Sequence, residues 1–162
     1  NTEGVVTDAI DMGYATVQRT QNTEGRVVEE RYFDAEGNPV KRYDDYYGIV
    51  YEYENDTVKI TYLGDDGLPI MHSAGYAVIM RTVGRDGQAI DDYYYDLAMQ
   101  PGSSSGYYGL HREYDPAGQN NSVTYLDENG QPVCSTSGYA GKRYDLDDSG
   151  VAIAEHYFDE QR

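Results

Sequence analysis

Tryptophan is missing altogether, phenylalanine is reduced to 2 residues and cysteine to 1 in this chain of 162 residues. With Cys134 alone, no intrachain disulfide can form, and no cysteine cluster offers a structural metal site. Basic residues are also scarce, 12 against 29 acidic ones, for a formal net charge of −17. Such a chain repels nucleic acid, polyphosphate and anionic lipid at every approach, and if its field attracts anything it attracts cations. No apolar run reaches membrane length, which argues against membrane insertion. No segment carries a 3.6-residue apolar stripe of useful length, so no helix is expected.

What is present is tyrosine, 19 residues, together with 18 glycines. A core made of phenol rings must find partners for its hydroxyls, which suits a thin, partly wet sheet better than a thick apolar interior. Frequent β-branched residues and glycine point to strands and turns. The chain starts at Asn1 rather than Met, and reads as a piece of a longer protein from which a leader or upstream region has been removed.

The tyrosines are in register. Tyr14, Tyr46, Tyr76, Tyr107 and Tyr139 follow a Gly-like turn and stand 32, 30, 31 and 32 residues apart. Eight residues beyond each, a turn begins at Asn22, Glu54, Gly84, Asp115 or Asp147, and Gly25, Gly87, Gly118 and Gly150 follow three residues later. The second copy has Thr57 instead of that glycine. A Tyr-apolar-Asp triplet then ends at Asp34, Asp96, Asp127 and Asp159, while the second copy arrives at Gly64 two residues early. Gly37, Gly67 and Gly130 come three residues after these ends, and Pro39, Pro69, Pro101 and Pro132 five residues after them, so four of the five prolines share one repeat position. The first residues, "NTEGVV", match the segment that follows such a triplet. The chain divides into units 1–34, 35–64, 65–96, 97–127 and 128–159, without linkers.

Each unit holds two turns of the Asp-x-x-Gly kind, in which the carboxylate bonds to the backbone ahead and glycine supplies a positive φ. In the strand between them, Tyr32, Tyr62, Tyr94, Tyr125 and Tyr157 share a face with Val28, Val58, Ile90, Asn121 and Ile153, because a strand alternates. The opposite face, with Arg31, Thr61, Tyr93, Thr124 and His156, is expected to be mostly solvated. One hairpin with one modest apolar side cannot stand alone in water. Its neighbours must cover it, which predicts an all-β, elongated solenoid or superhelix of stacked antiparallel hairpins with a tyrosine ladder along it. The proline fits an edge or the start of a connection. A closed five-bladed ring is the alternative, although two strands and a short third fall short of the usual blade.

Individual chemistry is thin. "DLDDSGVAIAEH" places Asp145, Asp147, Ser149 and Gly150 like the start of an EF-hand loop, but the closing position is His156 and the nearest acid, Glu155, is one residue early. His72, His111 and His156 occupy different repeat positions and are not spaced as metal ligands. Cys134 stands where other copies have Lys41, Met71 and Ser103, a variable position. "PGSSSG" at 101–106 reads as a flexible connection, not a phosphate loop. No metal, no cofactor and no enzyme active site is predicted, since a site needs an asymmetry that a repeat dilutes. The aromatic rings are the strongest binding candidates: open faces at Tyr14, Tyr46, Tyr76, Tyr107 and Tyr139 would stack on sugar rings or hold a cation.

The Gly-Tyr-Ala of 13–15, 75–77 and 138–140, with "YFDAEGNPV" and "YLDENGQPV", resembles the tandem aromatic/glycine hairpin repeats of Gram-positive cell-surface proteins, such as choline- and glucan-binding repeats. "REYDPAG" and "RYDLDDSG" are similar to the YD repeats of Rhs-type shells. The resemblance implies a secreted or wall-associated, non-catalytic module. It would bind cell-wall glycan, or a cationic substituent of a wall polymer, or it would act as a spacer carrying other domains.

Overall fold

A computed structural model describes residues 13–42, 45–103 and 105–161. The segment 1–6 and Ser104 of the serine run lie outside the described residues. Ten strands are formed: β1 (Thr16–Gln21), β2 (Val27–Phe33), β3 (Gly48–Glu54), β4 (Thr57–Leu63), β5 (Val78–Val83), β6 (Ala89–Tyr95), β7 (Gly109–Tyr114), β8 (Asn120–Leu126), β9 (Gly141–Leu146) and β10 (Ala152–Phe158). They make one antiparallel sheet in chain order, and there is no helix among the described residues. Each strand touches only its sequential neighbours. β1 and β10 therefore never meet, and the closed ring is excluded: the array is an open stack of five hairpins.

In the last two hairpins a carboxylate holds the turn. Asp115 Oδ1 accepts the amides of Ala117 and Gln119, both at 2.9 Å, and Asp147 does the same for Ser149 and Val151. The glycine then takes the left-handed region, as Gly87 does at φ 76°. Four hairpins absorb this turn with a register shift next to it, at Thr20/Gln21, Thr82/Val83, Glu113/Tyr114 and Ala152/Ala154. The second hairpin has no shift. Glu54 pairs with Thr57 across a two-residue turn, with Asn55 at φ 52° in place of glycine. That shorter turn is why the second copy reaches its end two residues early.

Ladders between hairpins are shorter than those within them. Between β2 and β3 the pairs are Glu29 with Val50, Glu30 with Ile49 and Arg31 with Gly48, whereas β3 and β4 pair from end to end. Gly109 shows what limits the junction. A Cβ there would lie 2.8 Å from the Asp92 carbonyl and 2.9 Å from the Tyr93 ring, so only glycine admits β6 this close. Where the strands splay beyond the short ladder, phenols bridge them: Tyr53 donates to the Val27 carbonyl at 2.8 Å and Tyr114 to that of Ala89 at 2.7 Å.

Each connection folds back over the tyrosine face. Pro39, Pro69, Pro101 and Pro132 bridge to the last residues of β2, β4, β6 and β8, and the next amide, of Val40, Ile70, Gly102 or Val133, donates to a ladder tyrosine carbonyl. These arches form a partial second layer. Tyr32, Tyr46, Ile49, Ile60, Ile79 and Tyr94 are the buried cluster beneath it, with Val40 and Ile70 packed against them.

The opposite face differs from expectation. Thr61, Ser122 and Thr124 on it are buried, as are Leu63 and Leu126 beside the proline bridges. Thr61 stands opposite Val78, Ser122 opposite Arg143 and Thr124 opposite Gly141. Short side chains flanked by strands on both sides lose their accessible surface even on an outer face.

Candidate functional site

All ten repeated tyrosines join in one continuous ring ladder. Rings within a hairpin are closest: Tyr14–Tyr32 4.9 Å, Tyr46–Tyr62 4.8 Å, Tyr76–Tyr94 4.7 Å, Tyr107–Tyr125 4.5 Å and Tyr139–Tyr157 4.7 Å between centroids. Across the junctions Tyr32–Tyr46, Tyr62–Tyr76, Tyr94–Tyr107 and Tyr125–Tyr139 are 5.9, 5.9, 6.1 and 5.7 Å apart. These are the offset and tilted separations at which ring quadrupoles attract. The five candidate ligand rings and the five structural rings are thus alternate members of one stack.

Accessibility is uneven along it. Tyr46 is buried and offers no open face, while Tyr14, Tyr76, Tyr107 and Tyr139 are half-buried. Of the other five, Tyr32 and Tyr94 are buried, Tyr62 and Tyr125 are half-buried and Tyr157 is exposed. Burial raises the phenol pKa of Tyr62 and Tyr94 strongly, with nearby phenols adding to it at Tyr62 and the Asp92 carboxylate at Tyr94. Burial, then the hydrogen bond donated to Glu30, raises that of Tyr32. Burial pushes Tyr51, on the same face of β3, up to about 12.

Two arch residues cap the first half of the ladder. The Arg42 guanidinium lies 5.9, 5.2 and 5.5 Å from the ring centroids of Tyr14, Tyr32 and Tyr46, and its Nη1 donates to the Tyr46 hydroxyl at 2.8 Å. One unit later His72 packs on Tyr46, Tyr62 and Tyr76 at 6.2, 5.0 and 5.2 Å. Both stand three residues after the repeated proline. That fixed offset was the available signal, but a side chain's reach across an arch is not written in the spacing.

A second polar centre lies on the tyrosine face at β5, β6 and β7. Asp92, 1% exposed, accepts from Arg81 Nε and Nη2 at 2.7 and 2.9 Å and from Arg112 Nη2 at 2.8 Å. Burial alone would raise its pKa, but the two guanidiniums outweigh burial and hold it below the ordinary carboxylate range. No sequence motif announces this trio, because its members come together only through strand register. On the outer face, Asp91 bonds His111 Nδ1 at 2.8 Å beside Tyr93, Thr124, Leu126, Gly130 and Pro132, in an open groove of about 320 Å³.

The calcium-like loop is otherwise employed. Asp147 holds its hairpin turn, and Asp145 bonds His156 Nε2 at 2.9 Å. Among the described residues no group of three or more His, Cys, Asp or Glu is arranged to hold a metal ion. His72, His111 and His156 lie apart, each with its own neighbours. Cys134 lies in the last arch, where its amide donates to Glu160 at 3.0 Å; burial and the Glu160 carboxylate raise its thiol pKa, the reverse of what an activated nucleophile needs. Gly37, Gly67 and Gly130 sit with positive φ after the carboxylate turns, and Gly25, Gly118 and Gly150 do so at the hairpin ends. In the fourth unit Met99 takes that conformation, at φ 57°, without being glycine.

No protein-family model matches this chain, and no curated protein matches it.

Proposed function

We propose that this chain is a non-catalytic repeat module of the bacterial cell surface, outside the cell or attached to the wall, that serves as a structural spacer carrying other domains. The observation that carries the reading is the single ladder of ten tyrosines in a sheet whose strands touch only their neighbours. Such a stack gains stability by addition of identical interfaces and sets distance by copy number. The net charge of −17 keeps it soluble and apart from other anionic polymers. Its placement at a Gram-positive surface rests on the likeness of "YFDAEGNPV" and "YLDENGQPV" to aromatic surface repeats. Small-angle scattering tests the spacer: a rod-like distance distribution that lengthens when a unit is duplicated is expected, and a compact globule would overturn it.

A second reading, binding of cell-wall glycan or of a cationic wall substituent, is favoured by one specific observation. In the distal half Tyr107, Tyr125 and Tyr139 keep part of their surface, so aromatic faces remain for a sugar or cation. Sedimentation with purified cell wall and glycan arrays test it. Loss of wall retention in a Tyr107→Ala, Tyr125→Ala double variant is expected, and retention unchanged by it would end this reading.

A further inference from the structure

We infer that the rings of Tyr107, Tyr125 and Tyr139 form a receptor for a guanidinium group, an arginine side chain presented by a partner protein. Copies of the same arch differ in what they place on the ladder. In the second unit a guanidinium already sits on the ladder: Arg42 lies over Tyr14, Tyr32 and Tyr46 at 5.9, 5.2 and 5.5 Å and bonds the Tyr46 hydroxyl. In the fifth unit the same place, three residues after the proline, belongs to Ser135. Its hydroxyl is turned back onto the Tyr139 carbonyl at 3.2 Å and reaches no ring.

The ring spacing is nevertheless kept, while the planes turn toward one another. The first triplet has centroid separations of 4.9 and 5.9 Å at interplanar angles of 47° and 63°, and the last has 4.5 and 5.7 Å at 11° and 37°. Under Arg42, Tyr32 is 2% exposed, whereas Tyr107, Tyr125 and Tyr139 all retain accessible surface. Glu160 adds a carboxylate on the arch itself, through the Cys134 amide. The neighbouring cations are engaged elsewhere: Arg112 Nη2 bonds Asp92 at 2.8 Å, and Lys142 Nζ lies 5.1 Å from the Tyr144 ring and 3.9 Å from Glu155. A guanidinium matches this surface better than an ammonium because it is planar, weakly hydrated and stacks on aromatic faces. The acidic field of the chain brings such a ligand in.

The test uses acetyl-arginine amide, with acetyl-lysine amide and acetyl-citrulline amide as controls, followed by NMR of the tyrosine ring resonances of the full 162-residue chain. Arginine is expected to shift Tyr107, Tyr125 and Tyr139 with millimolar saturation, to leave Tyr14, Tyr32 and Tyr46 unmoved, and to exceed citrulline and lysine at least threefold. Ser135→Arg, which fills the place in cis, is expected to weaken the response at least tenfold, with circular dichroism unchanged. Arg42→Ser is expected to create a second site on the first three rings. No ring shift in the parent chain, an equal response to citrulline or lysine, or full binding by a folded Ser135→Arg variant would each overturn the receptor. Scattering decides the spacer independently, so failure of either leaves the other standing.

Discussion

The third hairpin, β5–β6, and the last, β9–β10, carry the same repeat pattern and end in different surroundings. Tyr94 is 7% exposed and its equivalent Tyr157 is 57% exposed. Two residues before each tyrosine, Asp92 is sealed between two guanidiniums, while Glu155 keeps 41% of its side-chain surface and has Lys142 at 3.9 Å. Ile153 is 70% exposed although Ile90, at the same repeat position, is half-buried. The difference is one neighbour. β6 has β7 beside it, and β10 has no strand on its far side among the described residues. Burial in this protein is therefore conferred by stacking and is not a property of the unit.

Substitutions at matched positions in the two hairpins should give unequal losses, the largest at the buried ion trio. Asp92→Ala strands Arg81 and Arg112 and should cost about 3–5 kcal/mol. Glu155→Ala should stay within about 0.5 kcal/mol in urea unfolding. The pH dependence has a definite sign. The folded-state pKa of Asp92 lies below its ordinary value of 3.8, so its contribution is fully present above that value and disappears as pH falls through the lowered one. The gap between the parent chain and Asp92→Asn should therefore close in acid, and a gap that widens there would contradict the trio.

Next in size is the ring pair. Tyr94→Ala should cost about 3 kcal/mol and Tyr157→Ala less than about 1 kcal/mol, because only the first empties an enclosed site. Equal losses would mean that the end hairpin has a core of its own. In alkali Tyr62 and Tyr94 act together. Their pKa values are raised above 10.0, so they favour the fold below that pH and this support fades as pH rises toward their folded values. Each such ring should make stability fall by about 1.4 kcal/mol per pH unit above 10, followed by tyrosinate absorbance and circular dichroism together. Tyr157 should instead titrate before unfolding, since it is already at the surface, although its bond to Glu155 raises its pKa.

The smallest difference is the control. Gly25 and Gly87 hold positive φ in an end hairpin and an inner one, and a Cβ at either meets nothing within 4 Å. Replacing each by Ala should cost about 1 kcal/mol in both places, because a turn's backbone strain is local. A clear difference between them would show that even the turns depend on stacking.

Much of this architecture was legible from spacing alone. The period of Tyr14, Tyr46, Tyr76, Tyr107 and Tyr139, with the Asp and Gly turn residues and Pro39, Pro69, Pro101 and Pro132, is local chemistry repeated along the chain. Turn geometry and strand alternation act within a few residues, so the pattern displays them directly. The outer face was misjudged because the burial of Thr61, Ser122 and Thr124 depends on what stands beside them on the next strand.

That the chain forms hairpins, how many there are, and that each needs a neighbour is written in the residue order. That two interleaved tyrosine series make one ladder, that Arg42 and His72 lie on it while Ser135 bonds the backbone, and that Asp92 falls between Arg81 and Arg112 emerges on folding. The reason is range. Hydrogen bonds in a turn are fixed by residues next to one another, whereas ring stacking, charge pairing and burial are fixed by register between strands that the chain brings together only by folding.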